Sequence, residues 1–244
     1  MPVKAAQSTA PAPRPRPRKL TDAEGQATDR RSQIVDAAAG LFAAYGFEAT
    51  SVRQIADAVG ILAGSLYHHF ATKEEILHLI LRTRLEQLVQ DNVKLAQLPV
   101  DAEHRLVASV ILRFNQYVEQ WQFHTILLQE SRFFRRHPDF AYVVEGKAQA
   151  FAAQQATLRE GMAAGLFRAD IDPYLMIGAI SRTLSSAAAW FRSGDIFSSD
   201  KPSRYSIDTM IDFHLDCVLR MVRTPARLTD PVPRAECEAL LGAL

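Results

Sequence analysis

Two cysteines in 244 residues leave no material for a disulfide framework or a thiolate metal site. Cys217 and Cys237 are instead expected as reduced thiols, one within a helix and one in a C-terminal tail. Histidines are few and scattered: His68 and His69 are adjacent, and none of the seven falls at HxxxH or HExxH spacing. No apolar run is long enough to span a bilayer, and the N-terminus lacks the apolar core of a secretory signal. A glycine-rich phosphate loop, a GxSxG elbow and paired catalytic carboxylates are all missing. Strand-like alternation of any length is missing too. Neither sign of charge is in excess: 28 Lys and Arg stand against 27 Asp and Glu, a net of +1. That excludes a globally basic nucleic-acid binder, so any DNA contact must come from local clustering. The expectation is an all-α, cytoplasmic protein with no catalysis, no metal, no cofactor and no membrane partner.

What is present centres on residues 50–75, TSVRQIADAVGILAGSLYHHFATKEE. Thr50 or Ser51 caps a helix running to about Val59, with Val52, Ile55, Ala56 and Val59 on its apolar face. Gly60 supplies the left-handed turn, and Ile61 and Leu62 are expected to tuck beneath it. A second helix spans Ala63 to Phe70, and Thr72 with Glu75 has the spacing of a capping box that opens a third. The unit reads as a helix-turn-helix. Small residues Ala63, Gly64 and Ser65 let the second helix approach base edges in a major groove, with Tyr67 and His68 following as longer polar groups. Thr50, Ser51, Arg53 and Lys73 are the candidates for positioning on phosphate, since helix N-termini offer free amides.

With those residues in place, the stretch 31–77 resembles the DNA-binding domain of the TetR/AcrR family of bacterial transcriptional regulators. The resemblance runs through IVDAAAGLFAAYGFEATSVRQIADAVGILAGSLYHHFATKEEIL. It implies a homodimeric repressor that binds a palindromic operator in double-stranded DNA and is released by a small-molecule effector held between C-terminal helices. Activation in place of repression stays open. An enzyme or scaffold with an accessory helix-turn-helix is the rival class, and it lacks a catalytic constellation.

The rest of the chain divides around this unit. Residues 1–29, with PAPRPRPRKL, are expected to be a disordered basic tail, serving either as a DNA arm or as a solubilising segment. Residues 30–77 form the DNA-binding domain, 78–223 the ligand-binding and dimerisation domain, and 224–244 a mobile tail. A long helix from Thr72 to about Gln97 serves as connector and lever. Further helices are expected near 101–120, 122–136, 139–163, 173–192 and 205–222, with breaks at Pro138, Gly165, Gly194 and Pro202.

The helices 173–192 and 205–222 are expected to form a four-helix dimer interface, the first through small residues 185–189 and the second through surplus apolar surface. Candidate ligand contacts are Tyr117, Trp121, Gln129, Arg132, Phe133, Arg136, Arg182, Ser185 and Trp190. Arg182 is singled out as a buried arginine in need of an acidic partner or ligand. Arg132, Arg135, Arg136 and Lys147 suit phosphates, or equally a solvated face paired with Glu130 and Asp139. The runs GILAGSLYHHFATKEE and WFRSG are similar to a subgroup of the family that represses steroid catabolism and responds to CoA thioesters. That resemblance implies an acyl-CoA or steroid-derived CoA thioester as effector; a hydrophobic drug or aromatic acting on an efflux or detoxification regulator is the alternative.

Overall fold

A computed structural model describes residues 21–193 and 205–242, with side chains from Arg30 onward. The basic tail at 1–20 and the breaks expected at Gly194 and Pro202 lie outside the described residues. Eleven α-helices follow in order among those described: α1 Thr21–Tyr45, α2 Val52–Ala58, α3 Ala63–Leu66, α4 Lys73–Gln97, α5 Ala102–Glu119, α6 Trp121–Gln129, α7 Ser131–Arg136, α8 Ala141–Ala163, α9 Pro173–Ser193, α10 Ile207–Val222 and α11 Arg234–Leu241. The fold is all-α. The one extended pairing among the described residues is an isolated antiparallel bridge between Phe167 and Arg223.

Three expected boundaries need correction. The first helix begins at Thr21, not near Arg30, so the segment TDAEGQATD continues the helix. The proline run ends at Pro17, and Ala23, Glu24, Gln26 and Ala27 are good helix formers. The helix expected over 122–136 is two, separated at Glu130. The C-terminal segment is not a free tail: α11 packs back on the domain, and Cys237 is fully buried with its thiol directed to the His104 carbonyl at 3.3 Å.

That docking is anchored by a buried ion pair. Arg223 donates to both oxygens of Glu103, at 3.1 and 2.7 Å, and to the carbonyls of Asp230 and Pro231. Both charged side chains are almost without solvent contact. Losing Glu103 would strand a buried charge, a cost of about 3–5 kcal/mol, while losing Arg223 would leave Glu103 with only Arg227, 3.3 Å away.

The apolar cores do not follow the expected division at residues 77 and 78. One core joins Ile34, Phe42, Phe47, Ile55, Leu66, Phe70, Ile76 and Leu77 to Phe123, Ile126, Phe134 and Phe140. The helix-turn-helix therefore shares its interior with α6 and α7. The other core gathers α5, α9, α10 and α11 around Phe114, Leu158, Leu184 and Leu215. Helix α4 enters both, with Ile76 to Leu85 in the first and Leu95 in the second. Its registry follows from apolar residues at helical spacing on a rod of 25 residues.

The apolar face of α10 is not surplus. Met210, Ile211, Leu215, Val218 and Leu219 are each 4% exposed or less, packed within their own chain. The large apolar residues that α10 and α9 turn outward include Phe213, 62% exposed, and Tyr174 and Leu175, 63% and 68% exposed. At the end of α8, Gly161 is required by close approach, because a Cβ there would overlap the Phe167 ring.

Candidate functional site

The helix-turn-helix is built as its residue types dictate. Ser51 Oγ accepts the Gln54 amide hydrogen at 3.2 Å, and Gln54 Oε1 accepts the Ser51 amide at 2.8 Å, a reciprocal capping box. Gly60 takes φ +69°, the left-handed conformation that only glycine adopts without steric cost. Helix α3 is shorter than expected, ending at Leu66, and tightens through the Ser65 and Leu66 carbonyls into a turn over Tyr67 to His69. Thr72 accepts the Glu75 amide at 3.1 Å, while Glu75 reaches past the cap to the Ala71 amide at 2.9 Å. That backbone bond first, and Arg31 after it, hold the Glu75 carboxyl below its ordinary pKa.

The candidate DNA contacts separate into two groups. Ser51, Arg53, Gly64, Tyr67 and His68 are exposed, Tyr67 by 55%, and Ala63 and Ser65 are half-buried beside them. Arg53 carries only a loose pair to Asp57 at 3.9 Å, on two exposed side chains, which leaves it available to phosphate. Thr50 and Lys73 are spent internally. Thr50 is 1% exposed and its hydroxyl donates to the Gly46 carbonyl at 2.8 Å. Lys73 Nζ donates to the carbonyls of Phe47 and Thr50, at 2.6 and 2.7 Å, and lies 4.4 Å from the Phe47 ring centroid. Burial pushes its pKa down, against the opposing pull of Glu74, Glu48 and Glu130. Both side chains brace the loop between α1 and α2 and do not reach outward. Leu62, expected beneath the turn, is instead 80% exposed at the start of α3.

A second feature lies between α5, α6, α8 and α9. Two adjoining cavities of about 490 and 400 Å³ share Tyr117, His124, Leu128 and Arg182. Trp121, Gln129 and Ser185 line the first; Lys147, Phe151 and Gln154 line the second. Of the candidate ligand contacts, Tyr117, Trp121, Gln129, Arg182 and Ser185 thus come together. Arg132 and Arg136 are exposed on α7, away from both linings. Phe133 packs on Phe47 and Phe140 in the N-terminal core. Trp190 packs on Tyr205, its indole N–H buried and unpaired. The break at Glu130 turns α7 away from the cleft-lining side of α6, which is why Arg132, Phe133 and Arg136 leave both linings.

Arg182 is exposed, contrary to the expectation of burial. The buried arginine is Arg113, 7% exposed, which sequence reading passed over because α5 carries polar residues on several sides. It donates to Asn92, Ser109 and Ser181, at 3.1, 3.3 and 3.0 Å. Asn92 Oδ1 also accepts from Gln154 at 2.7 Å, tying α4 to α5 and α8. His124, held between Tyr117 and Phe123, has its pKa pushed down to about 3 by burial and by the Arg113 charge. Burial, with Arg135 and Arg182 nearby, also lowers the pKa of Lys147, which donates to the Leu127 carbonyl at 3.0 Å.

The cleft and the helix-turn-helix are joined by α6. Below its cavity-lining residues, its C-cap Glu130 accepts the Phe47 amide hydrogen at 2.8 Å. Phe47 is the residue whose carbonyl Lys73 grips.

Residues 34–80 match the bacterial regulatory proteins of the tetR family. The transcriptional repressor KstR2 of Mycobacterium tuberculosis is 33% identical over 171 residues, 70% of this chain and 85% of that protein. The chain belongs to the tetR family. KstR2 of Rhodococcus jostii is 32% identical over 183 residues, 75% of this chain and 90% of that one. Among solved structures, the ketosteroid transcriptional regulator KstR2 of M. tuberculosis superposes with TM-score 0.71 at 29% identity, over 80% of this chain and 95% of that one. AmtR of Mycobacterium smegmatis gives 0.60 at 26% identity, over 94% and 97%. This tetR-family chain is a DNA-binding transcriptional repressor and not an enzyme.

Proposed function

We infer that this repressor leaves its operator when an anionic, amphipathic small molecule occupies the cleft between α5, α6, α8 and α9. The observation that carries the reading is the path through α6. Trp121, His124 and Thr125 line the cleft, and Glu130 at the same helix's end holds Phe47 in the loop that opens the helix-turn-helix. A ligand that displaces α6 moves that loop and α4 together, and with them the reading helix. A full switch from mostly bound to mostly free needs the effector to favour the free form by about 5.5 kcal/mol.

A CoA thioester of a fatty or steroid-derived acid is the effector class this reading favours. Among the described residues both cavities lack an acidic lining residue while offering cations and an apolar wall, and a ketosteroid regulator is among the proteins of similar structure. The protein works as a homodimer on a palindromic site, α9 and α10 meeting their copies through their outward faces, with Leu175 and Phe213 as apolar anchors. Ser51 and Arg53 take phosphate; Ala63, Gly64, Ser65, Tyr67 and His68 take the major groove, joined by Leu62 against a thymine methyl.

The test is anisotropy titration of a labelled duplex from upstream of the protein's own gene, with and without a panel of acyl- and steroid-CoA thioesters. Release by one thioester is the expected result. Tight binding that none of them disturbs would sink the effector class. Tyr67→Ala should weaken operator binding roughly tenfold, about 1.4 kcal/mol, with thermal unfolding unchanged; undiminished affinity removes Tyr67 from the contact set.

A further inference from the structure

Arg113 is the one buried cation lining the cleft, and its surroundings are neutral. Its hydrogen-bond partners are an amide and two hydroxyls, those of Asn92, Ser109 and Ser181, and the Tyr117 hydroxyl is the other group favouring its charge. No carboxylate lies within ion-pair distance of it among the described residues. Asp91, the buried acid next in sequence to Asn92, spends one oxygen on Gln87 and the other on Gln116. A buried guanidinium without a counter-ion is costly unless an anion arrives.

The rest of the lining points the same way. Lys147 and Arg182 add positive charge to the cavity that Arg113 lines, and that cavity has no Asp or Glu. In the same wall His124 Nε2 is buried and has no hydrogen-bond partner among the described residues; as the Nε2–H tautomer it can donate to an anion. By contrast Arg223, the other deeply buried arginine among the described residues, is matched by Glu103. The chain supplies an internal acid where a cation serves the fold, and none beside Arg113.

We propose that the cleft reads a free carboxylate at the buried end of its effector, with Arg113 as counter-ion and Ser181 beside it. The effector is then doubly functional: an anionic head at the exposed Arg182 and Arg192, an apolar middle, and an acid at the far end. In CoA terms it is a mono-thioester of a dicarboxylic acid. The contact also gives the ligand a hold on α4, because Arg113 and Gln154 share Asn92 Oδ1. This rests on the effector reading above and narrows it.

The deciding measurement is calorimetric titration of the full chain with suberoyl-CoA and octanoyl-CoA, which share a chain length and differ by the terminal acid. Suberoyl-CoA should bind roughly ten- to a hundredfold more tightly, as a buried charge-assisted hydrogen-bond pair would give. Arg113→Met should erase that gap, while Arg182→Met should weaken both thioesters alike. The comparison on the unaltered protein decides the matter even if Arg113→Met does not fold. Equal affinity for the two thioesters overturns the carboxylate inference and leaves the CoA reading standing. Binding of neither overturns both.

Discussion

Lys73 in the DNA-binding domain and Arg113 in the regulatory domain are both cations drawn away from water, and they are treated in opposite ways. The first is wrapped by its own chain: carbonyls of Phe47 and Thr50, an aromatic face, and acids within electrostatic reach. The second meets only neutral amide and hydroxyl groups beside an open cavity. A cation whose partners are complete holds a fold together. The cavity beside Arg113 offers room for an anion that the described residues do not supply. The two cations are joined through α4, which carries Lys73 and Asn92, and through α6, whose C-cap Glu130 holds Phe47.

The contrast can be broken most forcefully at a third cation. Arg223→Met should lower stability by about 3 kcal/mol, because the buried Glu103 would keep only the partly exposed Arg227, 3.3 Å away. Chemical denaturation measures this, and a loss below about 1 kcal/mol would mean the pair is not structural. Next comes Lys73→Met, which strands the carbonyls it now satisfies. It should cost roughly 2–3 kcal/mol and depress operator binding only through unfolding. Full stability with selectively lost DNA affinity would instead place Lys73 on phosphate.

The acid side of the pH profile sharpens the comparison further. His124 has a folded pKa of about 3 against an ordinary 6.5, so the unfolded chain binds the proton more readily. The neutral ring's contribution is complete above about pH 6.5 and is lost as pH falls from there towards 3, at up to about 1.4 kcal/mol per unit. His124→Phe should flatten that slope between pH 6 and 4. An unchanged slope would show the histidine to be solvated. The smallest effect is the most telling: Arg113→Met should change stability by less than about 1 kcal/mol, since a well-packed apolar group can replace a buried charge at no loss. A drop as large as that for Arg223 would show that Arg113 has a protein counter-ion after all.

Much of this was legible from residue order. Ser51 with Gln54, Gly60, Thr72 with Glu75, and the apolar spacing along α4 are local signals, readable within a few residues. The helices at 101–120, 173–192 and 205–222 stood within two or three residues of their observed bounds for the same reason. Burial of a particular polar residue was not legible. Arg182 in an apolar stretch turned out exposed and Arg113 in a mixed stretch turned out buried, because burial depends on which helix lies across the way. Leu62 points outward although its type favours a core, and Cys237 is sealed by a segment that looked like a free end.

The sequence by itself determined the family, the all-α class and the helix-turn-helix, since those follow from short-range capping, glycine geometry and helical periodicity. Only the tertiary structure decided that α6 and α7 share an interior with the DNA-binding helices, and that Phe133 and Arg132 stand apart from the cleft. It also decided which arginine is buried at the cavity wall with no acid beside it among the described residues. These depend on contacts between residues far apart in the chain, where the deciding quantity is the balance of desolvation against available partners, and no local pattern encodes that balance.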